Sequence, residues 1–472
     1  MKILGLLLLL LSQSTFAIDY EFPENFLFGV SNASAQVEDQ LDDPWMKFAK
    51  DGKTKAFLNA SRPEEKLQFW SKPEIEIELA KKLGVQVFRM SLDWQRIMPE
   101  KNKIDYDALK RYQEICRLVK ANGMKVMMSL FHHSIPDWAI ETGGYLNTEL
   151  VDQFVLWGYE SIKYLKDDVD FWITYNEPNV YAMFSYVAGI WPPGKKNPLG
   201  AIQVPFYKGD FFVALDHMAE SHNKLYKKIK AAKINSKIGI AHNTANYKKS
   251  GWFSSFSTQW SWRHMNYRFP DKVKVNLDFM GFNYYGSEYM KAFGIEFSDL
   301  AEYNDAGRAI NPRGLYEMLK IFYDRYHLPI FITENGTADA EDFFRPSYLI
   351  EHLIAVHTAI ADGVPVLGYI HWSLTDNFEW ADGYCPKFGL VSVDRENDLK
   401  RSPRESFYIY SEIVKNNVIT SKQRDSAWKK VKDRFNTTRL TCRAENAEDG
   451  LDSPRKETFK AIDWRFTPAP QL

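Results

Sequence analysis

Short runs dense in apolar, β-branched and aromatic residues recur along the 472-residue chain, separated by helix-patterned stretches. FLFGVS (26–31), VQVFRMSL (85–92), MKVMMSLF (124–131) and VDFWITYN (169–176) come first. KIGIAHN (237–243), LDFMGFNYY (277–285), LPIFITEN (328–335) and PVLGYIHWS (365–373) follow. Their apolarity is nearly continuous rather than alternating, the pattern of strands buried on both faces of a parallel sheet. Between them, PEIEIELAKKLG (73–84), YDALKRYQEICRLVKANG (106–123) and RPSYLIEHLIAVHTAIADG (345–363) repeat apolar positions at helical spacing, and each ends on a glycine where a helix C-cap falls. Eight such alternations predict an α/β fold, a (β/α)8 barrel. An open doubly wound sheet is the rival, but no Gly-x-Gly-x-x-Gly turn follows the first strand.

Past Thr420 the chain turns polar and densely charged, with Trp428, Phe435, Phe459, Trp464 and Phe466 spaced as anchors. We expect residues 420–472 to pack as an extension on the outside of a barrel spanning 18–419. Residues 1–17, MKILGLLLLLLSQSTFA, read as a secretory signal, with one lysine, an apolar run from Ile3 to Leu11 and small residues at Thr15 and Ala17. A secreted or periplasmic protein is the expectation, and membrane association through an uncleaved N-terminus the alternative. No later run approaches about 18 consecutive apolar residues, so no transmembrane segment is expected after cleavage.

A formal charge of −1 and a pI near 6.8 give no electrostatic reason to expect nucleic acid or an anionic membrane as partner. Hydrophobic residues make up 45 % of the chain, ample for a large core. Cys116, Cys385 and Cys442 fit neither a disulfide framework nor a zinc-ligand pattern and allow at most one internal disulfide. Glycosylation sequons stand at Asn32, Asn59, Asn335 and Asn436, and Asn335 adjoins a candidate catalytic glutamate.

In such a barrel the chemistry sits at the C-terminal ends of the strands. That rule selects Gln36 after the first run, Arg89 in the second, His132 and His133 after the third, and Asn176 and Glu177 after the fourth. Asn283, Tyr284 and Tyr285 close the sixth, Glu334 and Asn335 the seventh, and Trp372 the eighth, with Glu379 and Trp380 just beyond. Two glutamates at the ends of separate strands suit glycoside cleavage, in which one carboxylic acid protonates the leaving oxygen while the other carboxylate attacks the sugar or activates water. Arg89 is placed to keep one of them ionised, and burial would raise the pKa of the other. The bland alternatives are a solvated carboxylate for a single strand-end glutamate and core packing for Trp372 and Trp380. His132 and His133 as a metal pair is disfavoured, because successive strand residues point to opposite faces; one is expected in the pocket and the other in the core.

ITYNEP and FITENG resemble the two signatures of glycoside hydrolase family 1, the β-glucosidase-like retaining glycosidases. FLFGVSNASAQVED, VFRMSLDWQRIMP, LFHHSIPDWA, LDFMGFNYYG and WSLTDNFEWADGYCPKFGLVSVD extend the resemblance over residues 20–415. It implies Glu177 as general acid/base and Glu334 as nucleophile. It further implies that Gln36, His132, Asn176, Trp372, Glu379 and Trp380 bind the sugar, that Tyr285 and Arg89 contact and tune the nucleophile, and that Tyr284 is structural. No metal or organic cofactor is implied, and the expected partner is a small β-glycoside or a glycolipid head group. Two departures stand out: Asp39 replaces the glycine of the usual Gln-x-Glu-Gly, and His133 replaces the usual tryptophan. With GLDSP and DWRF near the end, they resemble a subgroup that holds a plant galactolipid:galactolipid galactosyltransferase. Retention of Gln36 and the shortness of the segment after the first strand favour an exo-acting hydrolase, with transglycosylation the alternative. An inactive sugar-binding protein is a third reading, and the presence of both glutamates weighs against it.

Overall fold

The computed structural model describes residues 19–52, 63–292, 294–442 and 455–468. Residues 1–17, expected above to be a secretory signal, and the sequon at Asn59 lie outside them. Eight parallel strands close into a barrel: β1 (Leu27–Ser31), β2 (Val87–Ser91), β3 (Lys125–Phe131), β4 (Phe171–Asn176), β5 (Lys237–Lys249), β6 (Phe279–Met290), β7 (Ile330–Asn335) and β8 (Val366–His371). Each pairs with its sequence neighbours and β8 returns to β1, so the barrel has no free edge.

Helices pack outside. They include α1 (Pro73–Leu83), α2 (Tyr106–Ala121), α3 (Glu149–Leu165), α4 (Asp210–Ala231), α5 (Pro312–Tyr326), α6 (Arg345–Ala361) and α7 (Glu405–Asn416). The glycines that close three of the predicted helices, Gly84, Gly123 and Gly363, adopt φ of 81° to 90°, a left-handed conformation that costs glycine least. Val87, Met127, Phe171, Ile173, Ala241, Phe279, Phe331 and Ile370 fill the barrel interior as a cluster of their own, which makes the barrel a solid platform below the site. Among the described residues no helix is long and apolar enough to cross a membrane.

The strands depart from regular alternation where the chemistry was expected. Along β4, Ile173 points into the barrel, but Thr174 and Tyr175 both bond outward, to His222 and Ser221 of α4. The ladder with β5 slips between Ile173 and Asn176, and this bulge returns Asn176 to the interior. A second slip, between Ile332 and Glu334 against β6, aims Glu334 inward. Strands β5 and β6 also run past their predicted ends to Lys249 and Met290, still paired above the barrel rim.

In the segment after 420, α8 (Ser421–Asp433) and an antiparallel pair, β9 (Thr438–Thr441) with β10 (Arg455–Thr458), lie against the barrel. Trp428, Phe459, Trp464 and Phe466 are buried and Phe435 half-buried. Trp428 also donates its indole N–H to Glu351 of α6 at 2.6 Å. Cys442 forms a disulfide with Cys385, and Cys116 is buried and free. Replacing Trp428 with alanine is expected to lower stability by about 3–5 kcal/mol, the usual cost of deleting a buried tryptophan. Denaturant unfolding followed by barrel tryptophan fluorescence would check this, with a single shifted transition if extension and barrel unfold together.

Asn32 and Asn335 are buried, so the folded protein does not offer those sequons, whereas Asn436 is exposed.

Candidate active site

A cavity of about 890 Å³ opens at the C-terminal end of the barrel, within the range of ligand pockets. His132, His133, Asn176, Glu177, Tyr285, Glu334, Trp372, Glu379 and Trp380 all line it. Gln36 and Arg89 are fully buried and are not among the lining residues. Gln36 donates to the Phe378 carbonyl at 2.6 Å, bracing the loop that carries Glu379 and Trp380.

The two glutamates have contrasting surroundings. Glu334 accepts from the Arg89 guanidinium through one oxygen and from the Tyr285 hydroxyl, at 2.6 Å, through the other. Arg89 is fully buried and also donates to the Thr333 carbonyl at 3.0 Å and to Asn176 Oδ1 at 2.7 Å. Burial, with the Glu334 and Glu177 charges nearby, keeps the Tyr285 hydroxyl pKa well above its usual value, so it stays a donor. Among the described residues Glu177 accepts from neutral amides, Asn243 Nδ2 at 2.9 Å and Asn283 Nδ2 at 3.0 Å. Burial and the Glu334 charge push its carboxyl up to about 7, against the pull of those amides and of Arg308. One carboxylate thus sits on a cation while the other is poised to hold a proton at neutral pH. Asn176 and Asn283 join them into one network, since Asn283 Nδ2 donates to both Asn176 Oδ1 and Glu177 Oε1.

Glu177 takes φ of 46° at the start of the helix Pro178–Met183, and its N–H donates to the Ala241 carbonyl at 2.7 Å. Such a backbone is rare for a non-glycine residue and clusters at functional positions.

Both His132 and His133 face the cavity, contrary to the alternation argument. Strand β3 ends at Phe131, and His133 has φ of 63°, which turns its ring back toward Glu177, 3.8 Å away. Burial lowers both imidazole pKa values, that of His133 to about 3, so both rings are neutral. Trp380 lies 5.1 Å from His133 and 5.0 Å from Trp45 between ring centroids, and the Trp372 indole donates to Glu379 at 3.2 Å. Trp372 and Trp380 are therefore wall residues of the cavity, while burial raises the Glu379 carboxyl pKa well above its usual value. Tyr284 is buried and bonds the Asn311 carbonyl, away from the cavity.

Asn243, Trp191, Arg308 and Asp382 also line the site and were not anticipated. Asn243 ends the run KIGIAHN, so the strand-end rule applied to the fifth run would have found it. Arg308 and Trp191 come from long loops that carry no periodic signal. Farther from the glutamates the wall becomes apolar, with Met183, Ile202, Phe256, Trp260, Met290 and Ile295. Phe256 and Ile295 are 79 % and 53 % exposed, so this half opens to the surface. No group of three or more potential metal ligands occurs among the described residues.

The chain is 38 % identical to the chloroplastic galactolipid galactosyltransferase SFR2 of Arabidopsis thaliana, over 93 % of this chain and 82 % of that one. Its fold is similar to that of the β-glycosidase from Pyrococcus horikoshii, with TM-score 0.78 and 29 % identity, covering 87 % of this chain and 98 % of that one. The β-glucosidase from Thermotoga maritima, solved in complex with deoxynojirimycin, is similar at TM-score 0.74 and 28 % identity, covering 84 % and 99 %. Residues 18–251 and 264–419, from before the first barrel strand to beyond the last, match Glycosyl hydrolase family 1, and the chain belongs to that family of glycoside-processing enzymes.

Proposed function

We propose that the protein is a retaining exo-β-glycosidase that works by double displacement. The observation that carries this reading is the unequal environment of the two buried glutamates, one on Arg89 and Tyr285 and the other on neutral amides with its pKa near 7. Glu334 attacks the anomeric carbon as carboxylate. Glu177 gives its proton to the departing oxygen as the glycosidic bond breaks, leaving a covalent glycosyl-enzyme. Glu177, now ionised, takes a proton from water as that water attacks, which frees Glu334 and returns the sugar with its original configuration. The neutral ring of His132, Asn176 and the indole of Trp380 are suited to hold the sugar's hydroxyls and apolar face.

The test is trapping. A 2-deoxy-2-fluoro-β-glycoside with a good leaving group is expected to add one fluoroglycosyl group per chain, on the peptide that contains Glu334. Labelling of another residue, or an inverted product from an ordinary substrate, would overturn the mechanism.

A second reading is transfer of the glycosyl group to a sugar hydroxyl, as on a glycolipid head group. It is favoured by the similarity to a relative named for galactolipid galactosyl transfer and by the apolar outer half of the cavity. The two readings share the glycosyl-enzyme and differ in what Glu177 deprotonates. Product analysis with monogalactosyl lipid separates them: free galactose supports hydrolysis, and an oligogalactosyl lipid supports transfer.

A further inference from the structure

Glu177 stands on the leaving-group side of the bond in the proposed mechanism, so residues beyond it face the aglycone. Arg308 lines the cavity there, 45 % exposed, and its charge reaches Glu177. Its guanidinium makes one hydrogen bond among the described residues, to Glu288 Oε1 at 2.9 Å, so N–H donors remain free for a ligand. Asp382 lines the same wall. The Arg308 charge is felt by both Glu288 and Asp382, so this wall presents donors and acceptors side by side with a formal net charge of −1. Vicinal hydroxyls match such a surface, whereas a phosphate or sulfate would meet both carboxylates.

The loop that carries Arg308 is held from outside. Asn304 Oδ1 accepts from the backbone N–H of Arg308 at 2.9 Å, and the Asn304 N–H donates to the Arg308 carbonyl at 2.9 Å. The neighbouring Asp305 is gripped by the C-terminal extension: Arg439, itself buried, donates to its carboxylate at 2.7 Å, and the Cys442 N–H donates to its carbonyl at 2.9 Å. Cys442 is also bonded to Cys385, three residues beyond Asp382. The extension therefore ties both loops that bring Arg308 and Asp382 to the cavity.

We propose that Arg308, flanked by Glu288 and Asp382, selects a sugar as the leaving group or acceptor, and that the C-terminal extension positions it for this. The inference rests on the glycosidase reading and names the ligand class of its aglycone side. In the full-length protein, Arg308→Leu is expected to lower kcat/KM for cellobiose or β-galactobiose, relative to the matching 4-nitrophenyl glycoside, by about tenfold or more, the scale of a lost hydrogen bond to a charged group. Arg308→Gln, which keeps a donor, is expected to restore part of that ratio. Cys442→Ser is expected to shift the ratio in the same direction, chiefly through KM for the disaccharide. An equal loss on both substrates in Arg308→Leu, or an unchanged ratio in Cys442→Ser, would overturn the proposal. If the wild-type protein cleaved neither 4-nitrophenyl glycoside, the underlying reading would fail instead.

Discussion

Glu334→Gln is expected to lower turnover by about a million-fold, the scale on which loss of a covalent nucleophile is felt, while substrate still binds. Glutamine fills the same volume and keeps an oxygen for Arg89, but an amide does not attack the anomeric carbon. The substitution also leaves Arg89 without its buried counter-ion. Breaking such a pair costs about 3–5 kcal/mol in general, and here the Thr333 carbonyl and Asn176 Oδ1 remain as acceptors to soften it. A thermal melt measured alongside the kinetics keeps loss of fold apart from loss of chemistry. Turnover within tenfold of wild type by a folded variant would remove Glu334 from the mechanism.

Glu177→Ala is expected to act selectively. Loss of a general acid is worth about 10²–10⁴-fold when the leaving oxygen needs its proton, so alkyl glycosides should suffer that loss. Dinitrophenyl glycosides should keep most of their first step and accumulate the glycosyl-enzyme, because the base for the second step is missing. Added azide, which attacks without a base, should restore turnover and give a β-glycosyl azide. The wild-type pH profile follows from the same group. Its pKa is raised to about 7, the proposed mechanism requires the acid form, and kcat/KM is therefore expected to fall as pH rises above about 7. In Glu334→Gln the neighbouring charge is gone, so the Glu177 pKa should move down, visible by carbon-13 NMR of a labelled carboxyl. A uniform loss on all leaving groups would contradict this role.

The barrel was legible because strands covered on both faces must be apolar throughout, and the eight runs predicted are the eight strands observed. The glutamates were legible for a related reason: a buried strand that ends on a carboxylate leaves few structural excuses for it. Their orientation was not, because a bulge is a choice of register with no composition of its own. Thr174 and Tyr175 read as ordinary alternation until the outward bonds of both to α4 are seen. His133 failed the same way, since alternation holds only inside a strand and β3 ends two residues earlier. Arg308 was out of reach because what places it is a contact with Asp305 from residues more than 130 positions later in the chain.

The continuation of β5 and β6 above the rim makes part of the cavity wall a hydrogen-bonded ribbon rather than a loop. Asn243, Ala245 and Tyr247 on one strand, and Glu288, Met290 and Ala292 on or just past the other, face inward at every second position. A ladder fixes its backbone independently of its side chains, so apart from Asn243, which holds Glu177, and Glu288, which holds Arg308, these positions behave like interchangeable letters on a rigid strip. In the proposed mechanism, altered leaving-group preference is then expected from point substitution with no insertion or loop rebuilding, and a library confined to Ala245, Tyr247, Met290 and Ala292 leaves the donor to Glu177 and the partner of Arg308 in place.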